Sequence, residues 1–258
     1  MFFDARTLRM PPIFEGHFER FTDIPSANQY DDLNFIETLY RNACTRYQTS
    51  GPFPAPLQNE YNHIRDITSL CVTLLCAESR DHILNVLDVG GGFGVSCIEL
   101  MHRCQLPNFN YTIYEINNFI TCYHSKPFFQ EKNIRLISKL SEITESQNLI
   151  IFGSSLQYFP DTNETLNQII ATTKFPSYIL ITHTPVTYLP SFATLQVNMD
   201  NKKIPNWIFN IDTLKNIFLK CGYTCIFQSA VFRQGLFDDF KDNDTQFRSA
   251  NLLFKKSI

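Results

Sequence analysis

From Asp88 to Gly94 the chain reads Asp-Val-Gly-Gly-Gly-Phe-Gly, and four of the protein's 9 glycines fall there. The spacing is Asp88-x-Gly90-x-Gly92-x-Gly94, with Gly91 filling one gap. Glycines let the backbone take positive φ and approach a ligand that a Cβ would hold off. The apolar run Asn85–Val89 precedes the loop, and a helical pattern follows it. A helix starting there would aim its free N–H groups at the same ligand. A second acid, Glu115, closes the apolar run Asn110–Ile116. An acid at that strand end can accept both hydroxyls of a ribose. The two features together describe a nucleoside site. A dinucleotide fingerprint would need a third glycine where Val95 stands, and no Tyr-x-x-x-Lys pair supports a short-chain dehydrogenase. The Gly-Lys-Ser/Thr of a phosphate loop is also missing.

Such residues need a sheet to hold them. Short apolar runs at Asn85–Gly90, Asn110–Ile116, Asn133–Ser138, Asn148–Ser155 and Ser177–Thr184 read as strands, with room for helices between the early ones. Asp161 with Glu164 forms a capping signal ahead of Leu166, Ile169 and Ile170. Leu214, Ile217, Phe218 and Cys221 share a helical face that ends at Gly222. Strands alternating with helices imply an α/β fold with a mostly parallel sheet covered on both faces. Tyr223–Ser229 and Ser249–Lys256, joined by a long polar loop, imply an antiparallel hairpin at the end. Residues 1–80 read differently. Ile36, Leu39, Tyr40, Ala43 and Tyr47 share one helical face, with Asp31 or Asp32 as cap, and Ile64, Ile67, Cys71 and Leu74 share another. Thr49–Gln58 is turn-rich. We divide the chain into an N-terminal helical extension, 1–80, and a main domain, 81–258.

Composition narrows the function. Hydrophobic residues are 44% and charged residues 18%, as in a globular protein. The net charge is −3 and Lys202-Lys203 and Lys255-Lys256 are isolated pairs, so no face is built to neutralise duplex nucleic acid. The start, with Asp4 and Arg6 among its first residues, does not read as a signal peptide. No stretch approaches the ~20 apolar residues of a membrane span. The 8 cysteines include no CxxC pair and no zinc spacing, and read as small core residues of a reduced, cytoplasmic protein. No metal is expected. Phe2, Phe3, Phe14, Phe18 and Phe21 could cover the cleft or join two subunits of a homo-oligomer.

The D-x-G-x-G-x-G loop followed by Glu115 resembles motif I of the class I S-adenosylmethionine-dependent methyltransferases. "IIFGSSLQYFPD", "LITHTPVTYLP" and "IPNWIFN" are similar to segments of a bacterial family of methyltransferases without an assigned substrate. The likeness runs over about residues 80 to 256 and more loosely over "EGHFERF". It implies a Rossmann-like fold with seven strands, the last antiparallel. It implies S-adenosylmethionine as cofactor. Asp88 would orient the loop and help hold the methionine ammonium. Gly90, Gly91, Gly92 and Gly94 would line the methionine and ribose, and Glu115 would hold the ribose. Ile116 would pack on adenine and Ser138 would lie near its amine, where many relatives have an acid or Asn. Ser154, Ser155 and Leu156 would border the sulfonium.

The acceptor side rests on weaker signals. Gln157, Tyr158, His183, Tyr188, Gln196 and Trp207 are the candidates, with His183 and Tyr158 in catalytic roles. An imidazole titrates near neutrality, which suits a general base. Each has a plainer reading: a histidine bonded to a neighbouring loop, or a half-buried aromatic anchor. Trp207, the only tryptophan, follows Pro205 closely and could be a lid. The expected activity is methyl transfer to an oxygen or nitrogen of a small polar acceptor, and the family resemblance alone implies a saccharide precursor. The alternative is a catalytically silent module that binds the cofactor or a protein partner.

Overall fold

The computed structural model describes residues 13–25, 30–49, 62–78, 83–104, 109–125, 134–199, 202–231, 240 and 247–257. Residues 1–12, most of the turn-rich run at 49–58 and most of the polar loop before the last strand lie outside them.

The described strands are β1 (Phe14–Phe18), β2 (Leu84–Val89), β3 (Phe109–Tyr114), β4 (Ile134–Ile137), β5 (Leu149–Gly153), β6 (Tyr178–Thr187), β7 (Phe192–Met199), β8 (Lys202–Asn210), β9 (Tyr223–Val231) and β10 (Phe247–Lys256). The helices are α1 (Leu33–Thr49), α2 (Asn62–Glu78), α3 (Val95–Arg103), α4 (Asn117–His124), α5 (Thr162–Thr172) and α6 (Ile211–Lys220). Strands β4-β3-β2-β5-β6 run parallel in that order. β10 lies antiparallel between β6 and β9. This run is the α/β sheet expected from the sequence, with the terminal hairpin in place.

Three more strands were not expected, so the sheet has 10. They join in the order β1-β7-β8 beside β6. β6 changes partner along its length. It pairs with β5 up to Thr182 and with β8 from Val186. The change falls at His183, which has φ of 53° and sits where the register against β10 shifts between Ala250 and Leu252. A residue in this region acts as a bulge, bending the strand away from its first partner. The sequence showed β7 and β8 only as segments ahead of α6, because their pairing is a property of this fork. The N-terminal region is also not wholly helical: Phe14–Phe18 is a strand on β7.

Both faces of the parallel sheet are dry, which explains the unbroken apolar strands. Leu87, Val89, Ile150 and Ile179 pack with Leu166, Ile169, Leu214 and Phe218 of α5 and α6. Val86, Tyr111, Ile151 and Leu180 pack with Cys71, Val72, Leu75 and Cys97 of α2 and α3. The expected caps form: Asp32 accepts from Phe35 N–H at 2.9 Å, and Asp161 from Glu164 N–H at 2.9 Å. Such caps contribute about 1 kcal/mol each. Gly222 ends α6 at φ 85°. The carboxyl ends of β2, β3, β5 and β6 therefore meet under one opening, where β8 folds across. No described helix is long and apolar enough to cross a membrane.

Candidate functional site

The glycine loop joins β2 to α3, and its glycines answer different demands. A Cβ on Gly91 would lie 2.5 Å from Asp88 Oδ2, so this glycine makes room for the buried acid below it. A Cβ on Gly92 would meet only Phe119, at 3.9 Å, but the residue sits at φ 59° and donates its N–H to Glu115 Oε1 at 3.0 Å. Gly90 faces the opening, and Gly94 caps the start of α3.

Two carboxylates flank the loop. Asp88 is 1% exposed and Tyr111 donates to its Oδ2 at 2.7 Å. Burial pushes its pKa up to about 6, against the Tyr111 hydrogen bond, which lowers it. Asp88 Oδ1 has no hydrogen-bond partner among the described residues. Glu115 is 4% exposed and accepts from Gly92 N–H and, on Oε2, from Ile116 N–H at 3.0 Å. Burial raises its pKa to about 7, and the two backbone donors oppose that shift. Tyr30 also hydrogen-bonds the Glu115 carboxylate. Its ring stacks on Phe119 at 5.6 Å and on Tyr158 at 5.9 Å, so Tyr30 lies across the opening.

The cavity over the loop has a volume of ≈ 480 Å³. It is lined by Gly90, Tyr114, Glu115, Ile116, Asn117, Ser138 and Ser155 on the loop side. Phe21, Tyr30, Tyr158, Phe159, Pro160, Ile204 and Pro205 complete it. Six residues singled out from sequence thus meet in one cavity: Gly90, Glu115, Ile116, Ser138, Ser155 and Tyr158. Ser155 Oγ donates to Val89 O and pins β5 to β2 at the loop's base.

Other candidates stand outside the lining. Leu156 is fully buried among the α5 and α6 core residues. Tyr188 is 65% exposed and away from the cavity. Trp207 is no lid: it is fixed in β8, donates Nε1–H to Pro160 O at 3.2 Å, and packs on Phe21 and Phe209. Gln196 accepts from the Tyr158 hydroxyl at 2.7 Å. His183 Nδ1 lies 3.5 Å from Ser154 Oγ, and Gln157 Nε2 donates to Ser154 O at 2.9 Å. Ser154, just past the end of β5, and His183, at the fork within β6, both hold positive φ, 61° and 53°. Backbone strain of this kind gathers at functional sites. Sequence reasoning missed Tyr30 and Asn117 entirely, and named Phe21 only among the N-terminal rings that could cover the cleft. Phe159, Pro160, Ile204 and Pro205 lay in segments already singled out, but no spacing marked them as lining.

The residues present fit an S-adenosyl ligand on three points. Glu115 presents a carboxylate to the cavity just past β3, Gly90 lines the same cavity packed close against Ser155, and Asp88 Oδ1 is buried beside the loop without a hydrogen-bond partner among the described residues. No family model and no curated protein matches the sequence. Among solved structures the chain is similar to a magnesium protoporphyrin IX methyltransferase from Synechocystis with bound S-adenosylhomocysteine. The identity is 12%, covering 89% of this chain and 96% of that chain, with TM-score 0.51. The same enzyme with bound S-adenosylmethionine gives 11%, 89% and 94%, and 0.51. A 1,6-didemethyltoxoflavin-N1-methyltransferase from Burkholderia thailandensis gives 13%, 92% and 93%, and 0.46. At such identities the likeness is one of fold. The chain has the fold of S-adenosylmethionine-dependent methyltransferases.

Proposed function

We propose that this protein binds S-adenosylmethionine at the glycine loop and transfers its methyl group to an oxygen or nitrogen of a small acceptor. One observation carries the reading: Glu115 and the loop backbone meet at the mouth of a single cavity, hydrogen-bonded to each other. The fold alone would not decide function. Glu115 would accept the ribose hydroxyls, Ile116 would pack on adenine, and Ser138 would lie at its edge. Gly90, Gly92 and Gly94 would shape the backbone around the methionine part, with Gly91 and Asp88 setting the loop's height. Asp88 Oδ1, buried without a partner, would help hold the methionine ammonium. Ser155 would stand near the sulfonium, and Ser154 and Leu156 would support it from behind.

When bound, the cofactor supplies a methyl group already activated on sulfonium. The chain must then align the acceptor and exclude water, which at the limit lowers a barrier by roughly 7–11 kcal/mol. Tyr158 borders the acceptor space, positioned by Gln196. His183 would act through Ser154, either as a relay for the acceptor proton or as a residue that fixes the fork, with Gln157 holding Ser154. Trp207 holds the acceptor wall in place, and Tyr188 has no role in this cavity.

A second reading, a silent cofactor-binding module, draws on one observation. Among the described lining residues Glu115 is the only ionisable acid or base besides tyrosines, and Tyr30 is bonded to it. Calorimetric titration with S-adenosylmethionine and S-adenosylhomocysteine tests both readings. Micromolar binding of either supports the site. No heat with either at high micromolar concentration rules out both. Binding with no methyl transfer to any acceptor, followed with labelled cofactor, favours the silent module.

A further inference from the structure

The lining contributed by Phe21, the 158–160 turn and β8 has a consistent chemistry. This wall is Phe21, Tyr158, Phe159, Pro160, Ile204 and Pro205, brought from three separate parts of the chain. None has a charged side chain, and the one side-chain hydroxyl and the Pro160 carbonyl are engaged elsewhere. The Tyr158 hydroxyl donates to Gln196 Oε1, and Pro160 O accepts from Trp207 Nε1–H. The lysines of β8 next to this wall are also committed: Lys202 pairs with Asp32 at 3.1 Å and Lys203 with Glu15 at 2.8 Å. The Phe21 ring is held against Trp207, whose other neighbour is Phe209, so the aromatic surface is fixed before any ligand arrives. Tyr158 already takes one flat ring on its face, that of Tyr30 at an interplanar angle of 26°.

We infer that the acceptor is a neutral, flat ring compound, aromatic or heteroaromatic, and not the saccharide precursor that the sequence resemblance implied. The inference rests on the methyl-transfer reading for the word acceptor, while the wall itself does not. A polyol buried here would leave several hydroxyls without partners, and an anion would meet no cation. A flat ring gains from losing contact with water and from stacking on fixed aromatic rings. Ligand sites of this kind are mostly apolar, with a few polar groups fixing orientation. Here those groups lie at the Glu115 end.

The test is calorimetry on the full chain saturated with S-adenosylhomocysteine, with three probes: 2-naphthol, methyl glucoside and glucose 1-phosphate. The expected result is binding of 2-naphthol only, weakened at least ~10-fold by Phe21→Asp, which places a charge in the apolar wall. Pro205→Asp is the second variant, in case the first misfolds, and S-adenosylhomocysteine affinity within about threefold of wild type reports an intact fold. Tighter binding of either sugar, no binding of 2-naphthol, or unchanged 2-naphthol affinity in a folded variant would overturn the inference. Cofactor binding in those cases leaves the methyl-transfer reading standing. Conversely, 2-naphthol binding that the variants weaken, in a protein that ignores the cofactor, removes the methyl-transfer reading and keeps the aromatic site.

Discussion

The wall at Gly90 and Glu115 and the wall at Tyr158 and Pro205 face one cavity but are held by different means. The first is a web of short hydrogen bonds. Gly92 N–H and Ile116 N–H close on one carboxylate, and Tyr111 closes on the other. The second is a stack of rings and prolines, tied at its edges by Tyr158 to Gln196 and Trp207 to Pro160. Buried polar networks carry a heavy penalty for any missing partner, whereas apolar walls tolerate change of shape. The loop side therefore defines one ligand closely, and the ring side defines only a class of ligand.

The largest break is expected at Gly91. A methyl group there would sit 2.5 Å from Asp88 Oδ2 and 2.6 Å from Asp88 Cγ. Asp88 is buried and bonded to Tyr111, so it has nowhere to move. Gly91→Ala should cost about 3 kcal/mol or more of stability, near the upper end for overpacking, and abolish cofactor binding. Gly92→Ala makes only an ordinary contact with Phe119 at 3.9 Å and pays for positive φ, about 1–2 kcal/mol. Chemical denaturation of the two variants compares them. Equal losses would show that Asp88 gives way to the added methyl group and that its contact does not fix a glycine at 91.

Next comes the charge of Glu115. Its pKa is raised from 4.5 to about 7, mainly by burial. Asp88 is raised from 3.8 to about 6 for the same reason. Between each pair of values the folded chain holds more protons than the unfolded one, so stability is highest at the acidic end and falls as pH rises. The expected slope is on the order of 1 kcal/mol per pH unit for each group inside its window. Glu115→Gln should flatten the part up to pH ~7 and leave the Asp88 part, while weakening S-adenosylmethionine by ~10–100-fold, the loss of one charge-assisted hydrogen bond or two. Stability that rises with pH in wild type across this window would contradict the burial of both acids. An uncharged wall substitution such as Phe21→Leu should leave the slope alone, because it adds no titrating group and changes no hydrogen bond to Glu115 or Asp88.

The same contrast governs what the sequence could show. The loop side comes from continuous runs: Asp88 to Gly94 is one turn, and Glu115 ends the next strand. Glycine spacing and a strand-end acid are local signals, and six predicted residues meet in the cavity. The ring side is assembled by the fork at His183, which brings β8 across the strand ends. Nothing local in "IPNWIFN" says which partner its strand will take, so Ile204 and Pro205 could be noticed but not placed. Tyr30 carried no signal at all. It precedes the Asp32 cap and owes its position to how α1 docks beside Phe119. Trp207 misled for the opposite reason: a lone tryptophan attracts a functional reading, and here its ring and N–H brace the wall.

Tyr30 touches both sides, which makes its removal the mildest and most informative change. Its hydroxyl hydrogen-bonds Glu115, and its ring lies on Tyr158. Burial and the nearby carboxylate push the phenol pKa upward, so it stays protonated and donates. A ribose hydroxyl needs the same carboxylate lone pairs. Tyr30 must then either yield its hydrogen bond when the cofactor binds or share the oxygen with it. Tyr30→Phe keeps the ring and the stack but removes the competitor. If Tyr30 yields, the variant should bind S-adenosylhomocysteine several-fold tighter, the ~1 kcal/mol of one net hydrogen bond, with 2-naphthol affinity unchanged. If it shares, cofactor affinity should fall by a similar factor, because the carboxylate loses a donor that holds it in place. A change in 2-naphthol binding alone would mean that the hydroxyl orders the ring side, and the division between a hydrogen-bonded wall and a stacked one would no longer hold at this residue.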